Sequence, residues 1–402
     1  PGVWLGFSSI HWREAWKYGE RAFRYCQLDM GHVLAAVSYA ATLHGWQPHL
    51  LSLNSESTAR VLGVDRTTDF ANVEAEEAEV ILALHANDAA PTTDWQHYAG
   101  TPSLLDPRPL YQWPVIDEVA AATRGTAPFD CHSRPSMNSG QADLRSGGNP
   151  AKKINPCSAR TNSTALLIDP LDSRLRGNDA KCDAADIRAT QVILKRRSAQ
   201  AFDGASVMPH TLFKRMLGSL LAGGSPVWKL WPHTPRVHPV LLVHRVEGVA
   251  PGVYVLPRTD SAIAALRAAM RDSFTWQRTD DTLPLYRLIA ARAGKTARTL
   301  SCHQDIAANC AVTFMMVAEF AAPIAADAAA YRHLHWEAGM LGHIVTLEAE
   351  AAGWRGTGIG CFFDDADHEV LGLKDARFQV IYHYAIGMAL DDARISTLPA
   401  YA

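Results

Sequence analysis

The chain has 402 residues, of which 48% are hydrophobic and 20% are charged, and its net charge is -3 at pH 7. This length predicts two or three domains, and the near-neutral charge argues against nucleic acid as a partner. No apolar run approaches the roughly 20 residues that span a bilayer, so we expect no membrane segment and a cytoplasmic location.

The seven cysteines include no Cys-x-x-Cys pair and are odd in number. This usage predicts reduced thiols in a reducing compartment. Cys302, His303, Cys310 and Cys361 match no zinc spacing, so we expect no metal site.

The first globular stretch, residues 11–44, has the periodicity of one or two helices. Basic residues crowd one side of it, interleaved with glutamates, which is typical of a solvated helix face. Lys17 and Tyr18 stand side by side near its start. A Lys stem packed beside a Tyr ring is the commoner meaning of such a pair.

Several segments of this stretch recur later in the chain in the same order. Residues 21–32 align with 332–343 at an offset of 311, and the matched pairs include His32 and His343. Three further matches follow: 45–46 with 353–354, 61–64 with 370–373, and 80–85 with 380–386. We interpret this as a duplicated domain whose first copy is incomplete at its N-terminus, and the start at Pro1 as that of a fragment.

The sequence places boundaries for the two copies and for the segment between them. We place the first copy in residues 1–130, where 86–130 form a connector rich in Pro, Asp and Thr. Residues 131–186 are rich in Ser, Asn, Arg and Gly, a composition that predicts a disordered inserted linker. The second copy occupies residues 187–402.

The second copy mixes helices and strands. A helix is expected to end near Lys195, Pro209 to open another, and residues 240–246 and 252–256 to form a hairpin. Residues 257–308 are expected to be helical, and 312–320 to be a strand or a buried helix. The fold class is therefore α+β.

The most regular pattern lies at residues 331–352. Apolar residues recur there at steps of three or four, which predicts a buried helix face, and Gly353 stands where a helix ordinarily ends. The glycine run at 356–360 then allows backbone N–H groups to approach a flat ligand. His32 and His343 lie inside apolar helices, where core histidines bonded to the backbone are the ordinary expectation.

Arg196, Arg197 and Ser198 begin the motif RRSAQAF, which offers two guanidinium groups and a hydroxyl at one helix end. Such a set suits a phosphate monoester, although a surface basic cluster explains most such triplets. Together with the glycine run, however, the motif resembles the FMN-dependent nitroreductase superfamily, whose hallmark is R-R/H-S-x-R/K-x-F. The resemblance covers residues 187–402. It is strongest to the streptolysin-type branch of dehydrogenases from thiazole and oxazole peptide biosynthesis.

The resemblance implies a nitroreductase-like fold, with a mixed or antiparallel sheet flanked by helices, that clasps its second copy as an intrachain pseudo-dimer. It also implies FMN as cofactor, NAD(P)H or oxygen as second partner, a nitrogen-containing or peptide-derived substrate, and a possible homo-oligomer. The implied cofactor-binding residues are Arg196, Arg197, Ser198, Gln200, Gly358, Ile359 and Gly360, with the last three beside the flavin N5. Lys17 and Tyr18 resemble the catalytic Lys-Tyr pair of the azoline-oxidising members and would exchange a proton.

Three positions depart from the family pattern. Gln200 replaces a basic residue, residues 235–239 lack the Ser and Gly of a flavin-binding loop, and Met388 replaces an Arg. These departures keep a second hypothesis open, a flavin-less scaffold or partner protein of the same fold in peptide modification. Flavin absorbance of the purified protein distinguishes the two hypotheses.

Overall fold

The structure is a computed structural model that describes residues 3–84, 95, 97–104, 111–127, 189–396 and 398. The linker predicted over 131–186 lies outside the described residues. In the described part of the chain, no helix combines the length and the apolar character that crossing a membrane requires.

The first unit contains three strands and four helices within the described residues. They are β1 (Val3–Ser9), α1 (Trp12–Tyr18), α2 (Ala22–Leu43), β2 (Pro48–Leu50), α3 (Ser55–Leu62), β3 (Glu77–Leu84) and α4 (Pro114–Ala122). Gly19, with φ of +59°, separates α1 from α2, so residues 11–44 form two helices. Helix α4 lies within the predicted connector and packs its Ile116 and Ala120 against Phe23 of α2.

The second unit begins with helices and ends with a strand, and most of the glycine run lies in the strand before it. Its elements are α5 (Ala189–Lys195), α6 (His210–Ser219), α7 (Val227–Leu230), β4 (Val237–Val243), β5 (Gly252–Val255), α8 (Asp260–Ala269), β6 (Gln277–Arg278), β7 (Tyr286–Ala290), α9 (Gly294–Leu300), α10 (Ile306–Asn309), β8 (Val312–Glu319), α11 (Ala321–Ala326), α12 (Ala330–Glu350), β9 (Arg355–Ile359), α13 (Asp364–Leu371) and β10 (Phe378–Gly387).

The strands form two antiparallel sheets. The smaller has the order β1-β3-β2, and the larger has the order β6-β7-β5-β4-β8-β10-β9. The predicted hairpin is present, because β4 and β5 pair through Val240 and Val255. The stretch 257–308 is not wholly helical as we expected. It contains β6 and β7, whose residues are largely exposed and therefore lack a marked apolar alternation.

The two units repeat one arrangement of elements. The succession β1-α1-α2-β2-α3-β3 recurs as β8-α11-α12-β9-α13-β10, and β3 lies between β1 and β2 as β10 lies between β8 and β9. Helices α3 and α13 both end at a left-handed glycine, Gly63 with φ of +72° and Gly372 with φ of +73°. The predicted α+β class is confirmed, and the shared order of elements supports the predicted duplication.

Helices α2 and α12 join the two units and cross at a pair of glycines. A Cβ atom added to Gly31 would overlap the carbonyl oxygen of Trp336, and one added to Gly339 would overlap that of Leu28. These reciprocal contacts relate residues 308 apart (339 minus 31, and 336 minus 28). The helix alignment at 311 was therefore wrong by three residues. A shift of three is close to one helical turn, so it leaves the apolar face nearly unchanged.

The crossing helices lie between the sheets. A continuous core contains Leu34 from α2, Leu82 from β3, Ile344 from α12 and Phe314 from β8. The other face of the larger sheet packs against α8, α9 and α13 in a second core. The two units thus share buried apolar surface, the dominant favourable term in association.

A buried charge network reinforces the contact between the units. Arg332 of α12 donates to Glu77 at 2.7 Å and to Glu79 at 3.1 Å, both on β3, and to the Thr123 hydroxyl at 2.9 Å. Gln27 donates to Glu79 at 2.7 Å and accepts from the Trp336 indole at 2.6 Å. Removing one partner of such a network leaves an unpaired buried charge, which is strongly destabilising.

Candidate functional site

A pocket of about 460 Å³ opens between the two units. This volume is within the range of small-molecule sites. The second unit contributes Arg196, Ser198, His343, Thr346, Thr357, Gly358, Tyr382 and Tyr384, and α2 of the first unit contributes Asp29, His32, Val33 and Ala36. The structure therefore brings part of the arginine motif and part of the glycine run into one site.

The arginine motif is attached to the edge of the larger sheet. Ala199 donates its N–H to the carbonyl of Gly356 at 3.1 Å, and Phe202 forms an isolated bridge with Ala389. These bonds hold the loop that follows α5 against β9, so Arg196 and Ser198 face the pocket.

Arg196 is a cation available for a ligand. Within the described part of the chain its guanidinium has no hydrogen bond or salt bridge. Glu350 is within electrostatic reach of Arg196, but it forms an ion pair with Arg355 at 4.0 Å. A cation at a pocket wall without an acceptor is suited to an anionic ligand.

Gly358 presents backbone to the pocket. In a strand, the polar groups of alternate residues point to the same side, and the carbonyl of Gly356 accepts from Ala199 beyond the sheet edge. Gly358 therefore directs its N–H to this outer edge. A Cβ atom at Gly358 would overlap the Tyr382 hydroxyl oxygen, so no larger residue fits there.

Four residues of the predicted cofactor set lie elsewhere. Arg197 donates to the carbonyls of Leu194 at 3.1 Å and Arg196 at 2.7 Å, and Gln200 is exposed. Ile359 is buried in the second core. Gly360 lies against the ring of Tyr25, which a Cβ atom would overlap. None of the four lines the pocket.

Lys17 and Tyr18 also lie outside the pocket lining. The Lys17 amine is 4.8 Å from the centroid of the Tyr18 ring, and the hydrogen bond that it donates to Tyr18 raises the pKa of Lys17. The Tyr18 ring makes an edge contact with Tyr25, at 4.9 Å between centroids, and Tyr25 in turn covers Gly360. One ring therefore separates the pair from the glycine strand.

The pocket contains ionisable groups that the sequence interpretation assigned to the core. His32 and His343 approach each other to 3.5 Å between their Nδ1 atoms, and His32 Nε2 is 3.2 Å from the Tyr382 hydroxyl. Burial and the charge of Arg196 lower the pKa of His32 to about 4. Burial, His32 and Arg196 lower the pKa of His343 to about 3. Each histidine was visible as a matched position of the repeat, but their contact depends on how the two units pack.

Asp29 stands at the mouth of the pocket, where its side chain still reaches solvent. The surrounding protein and the charge of Glu14 raise the pKa of Asp29 to about 6. Its carboxylate therefore changes charge near neutral pH.

One ionisable set away from the pocket is structural. Ser301 contacts His383 at 3.0 Å, and His383 Nε2 contacts Asp367 at 3.0 Å, with all three buried and Phe362 stacked on His383. This Ser-His-Asp chain has no access to a substrate, and it ties α13 to β10.

One cysteine prediction was wrong. Cys302 and Cys361 form a disulfide, and the Arg21 guanidinium donates to Cys361 Sγ at 2.7 Å. The two cysteines are 59 residues apart in sequence, and they meet because α9 packs beside the end of β9. Sequence spacing does not reveal such a meeting.

The pseudo-symmetric counterpart of the pocket is filled with protein. Residues 308 positions after Asp29, His32, Val33 and Ala36 are Glu337, Met340, Leu341 and Ile344, and all four are buried. Glu337 accepts from Arg258 and from the backbone N–H of Arg236. Ser225, just before α7, bonds the Tyr39 hydroxyl of α2 at 3.0 Å. The segment 235–239 belongs to this filled position and not to the pocket.

Comparison with known proteins agrees with the geometry of the second unit. The family model described as "Nitroreductase family" matches residues 193–388. Residues 193–388 are therefore similar to the nitroreductase family. No curated protein sequence matches the chain.

Solved structures extend the likeness to the first unit. A protein of Anabaena variabilis described as a nitroreductase has a TM-score of 0.62 at 18% identity, covering 96% of this chain and 69% of its own. At this identity the likeness establishes the nitroreductase fold alone. The Escherichia coli microcin synthetase McbBCD complex has a TM-score of 0.36 at 12% identity, with coverage of 63% and 80%. A Ralstonia eutropha nitroreductase also scores 0.36, at 13% identity, with coverage of 61% and 99%. No conclusion about this chain rests on these two likenesses.

Proposed function

We propose that this protein is an FMN-dependent oxidoreductase that binds one flavin in the pocket between its two units. The observation that carries the proposal is the meeting of Arg196, Ser198 and Gly358 of the second unit with α2 of the other unit. A positive group, a hydroxyl and an exposed strand edge are thus placed around one cavity.

The residues present fit FMN. The unpaired guanidinium of Arg196 and the hydroxyl of Ser198 are the donors that a phosphate monoester or a ribityl chain requires. The backbone at Gly358 is bare, so a flat ring system can approach its N–H. His32 and Val33 of α2 also line this pocket.

FMN, when bound, supplies hydride transfer to and from a substrate. The chain's own groups position the cofactor, restrict water and provide ionisable side chains beside the strand edge. We propose a nitrogen-containing or peptide-derived substrate, with NAD(P)H or oxygen as the second partner. The proposal keeps four residues that surround the flavin site without lining its cavity: Arg197, Gln200, Ile359 and Gly360. The proposal also keeps Lys17 and Tyr18 as the proton-exchanging pair of an azoline dehydrogenase. This pair would reach the site past Tyr25.

The alternative function is that of a flavin-less scaffold or partner protein. Gln200 at a usually basic position of the motif and the filled second position favour it. The two functions differ in one simple property, the affinity for FMN.

The test is titration of the full chain with FMN, followed by quenching of flavin fluorescence. We expect saturable binding, and we expect Arg196→Ala to weaken it by about 10-fold to 100-fold, the range for a lost charge-assisted hydrogen bond. Arg377→Ala is the matched control, because Arg377 is exposed and bonded to Asp375. Full-length protein that shows no flavin binding at any concentration refutes the proposal and favours the scaffold.

A further inference from the structure

Three side chains form a continuous hydrogen-bonding chain along one wall of the pocket. His343 Nδ1 meets His32 Nδ1 at 3.5 Å, and His32 Nε2 meets the Tyr382 hydroxyl at 3.2 Å. His32 comes from α2, and the other two come from the second unit. The chain therefore exists only where the two units meet.

Both ends of this chain reach the pocket. Tyr382 lies directly against Gly358, since a Cβ atom on that glycine would overlap the hydroxyl oxygen. His343 lines the same pocket on the side of Thr346. A molecule bound at the strand edge thus touches the hydroxyl, while the imidazole at the other end contacts a separate part of the cavity.

The rings are held in the form that can pass a proton. A neutral imidazole donates from one nitrogen and accepts at the other, whereas an imidazolium can only donate. Burial and the charge of Arg196 lower the pKa of both rings, so both are neutral at pH 7. Burial, Tyr384 and Asp29 raise the pKa of Tyr382 well above its ordinary value, so its hydroxyl keeps its proton at rest.

We propose that Tyr382 is the catalytic residue that exchanges a proton with the substrate at the Gly358 edge, and that His32 and His343 carry this proton to and from solvent. The proposal rests on the proposed flavin site. It deepens that site by adding a proton route at the Gly358 edge that runs through residues of both units.

The proton transfer balances without a change of net charge on the protein. A proton from solvent enters at His343 Nε2 while the Nδ1 proton of His343 moves to His32 Nδ1. The Nε2 proton of His32 moves to the Tyr382 oxygen, and the hydroxyl proton of Tyr382 passes to the substrate atom that has received hydride. All three groups end neutral: the two imidazoles are in their other tautomers, and Tyr382 has regained its hydroxyl proton. The reverse sequence removes a proton from a substrate that loses hydride.

The first experiment uses the full chain without FMN. Nitrogen-15 NMR of labelled histidines reports the tautomer and the protonation of each ring. We expect His32 and His343 to be neutral at pH 6 and Tyr382→Phe to change the tautomer balance of His32. Tyr254→Phe is the matched control, since Tyr254 is equally buried and its hydroxyl donates to the Ala250 carbonyl at 2.7 Å, away from the pocket. A protonated His32 at pH 6, or an unchanged His32 spectrum in Tyr382→Phe, overturns the relay.

The second experiment uses the FMN-loaded chain, reduced with dithionite and mixed without oxygen with p-nitrobenzoate as the probe. We expect Tyr382→Phe and His32→Gln each to slow reoxidation by about 100-fold, the lower range for general acid catalysis. Rates are compared at saturating FMN for each variant, and the slowing that deuterium oxide causes in the native chain should be lost in both variants. Native rates with FMN bound refute the relay and leave the flavin site standing. Absence of FMN binding refutes the site, and the NMR experiment then decides the relay alone.

Discussion

At the scale of single residues, the sequence identified the pocket residues that belong to short local motifs. Arg196, Ser198 and Gly358 were predicted from local motifs, and all three line the pocket. The His32, His343 and Tyr382 chain was missed because His32 lies more than 300 positions from the other two. Tyr382 belongs to the segment 380–386, which was noted only as a match of the repeat. Sequence periodicity reports which face is buried, and it does not report what a buried polar group meets there.

Buried histidines make the stability of this protein dependent on pH. His335 donates from Nδ1 to the Tyr331 carbonyl at 2.8 Å, and burial lowers its pKa to about 4. The unfolded chain binds this proton near pH 6.5, so the unfolded state binds more protons between pH 6.5 and pH 4. Stability therefore falls as pH falls through this window, by about 2 kcal/mol at pH 5 for one such ring.

His335→Gln should remove this ring's contribution to the pH dependence of stability. Urea titration measures the free energy of unfolding at pH 7 and at pH 5. The decrease from pH 7 to pH 5 should be about 2 kcal/mol smaller in the variant than in the native chain. His210→Gln, at the exposed start of α6, is the control and should keep the native difference. An unaltered difference in His335→Gln would show that this ring is already charged in the folded state. The other histidines with a lowered pKa are His11, His32, His244, His333 and His343.

At the scale of elements, the strongest patterns gave the best predictions. Helix α12 was predicted over 331–352 and is observed at Ala330–Glu350, with Gly353 at φ of +76° after it. At β8 the sequence did not distinguish a strand from a buried helix. All but one of its residues are buried, and a run of buried apolar residues fits either element. The repeat was detected, but its helix register was not. Only the close approach of Gly31 and Gly339 reveals that register.

Replacing Gly31 with alanine should loosen the crossing of α2 and α12. The added Cβ overlaps a backbone carbonyl, which cannot rotate away as a side chain can, so the helices must separate. We expect Gly31→Ala to lower the free energy of unfolding by about 1–3 kcal/mol or more, the range for overpacking. Urea titration measures this change.

The matched control for the crossing is Gly294→Ala. Gly294 is the first residue of α9, and a Cβ there meets its nearest neighbours at 3.9 Å. Alanine should therefore be neutral or stabilise the protein by up to about 1 kcal/mol through the unfolded state. Equal stability of the two variants would contradict the packing at the crossing.

At the scale of the whole molecule, the two units are alike in topology but not in their pockets. The pocket beside β9 is open, and the corresponding position beside β2 is filled by Tyr39, Ser225 and the Glu337–Arg258 pair. The sequence indicated the duplication, and it could not indicate which position stays open. That outcome depends on where α7 packs.

This asymmetry predicts the flavin content. Isothermal titration with FMN should give a stoichiometry of one per chain, because the second position contains packed side chains in place of a cavity. The titration is normalised to polypeptide concentration by quantitative amino-acid analysis. A stoichiometry of two would show that the segment 225–237 moves aside, and a stoichiometry of zero would refute the proposed function itself.

The covalent joining of the two units also affects how the protein can change. In an assembly of identical subunits, one codon change alters both interfaces and both pockets together. Here Gly31 and Gly339, or His32 and Met340, are encoded separately, so one side can be altered while its partner is kept. Association within one polypeptide is likewise unaffected by dilution, since the effective concentration of one half near the other is set by the chain that joins them. Such a protein can become specialised on one side and stay assembled at the lowest cellular abundance.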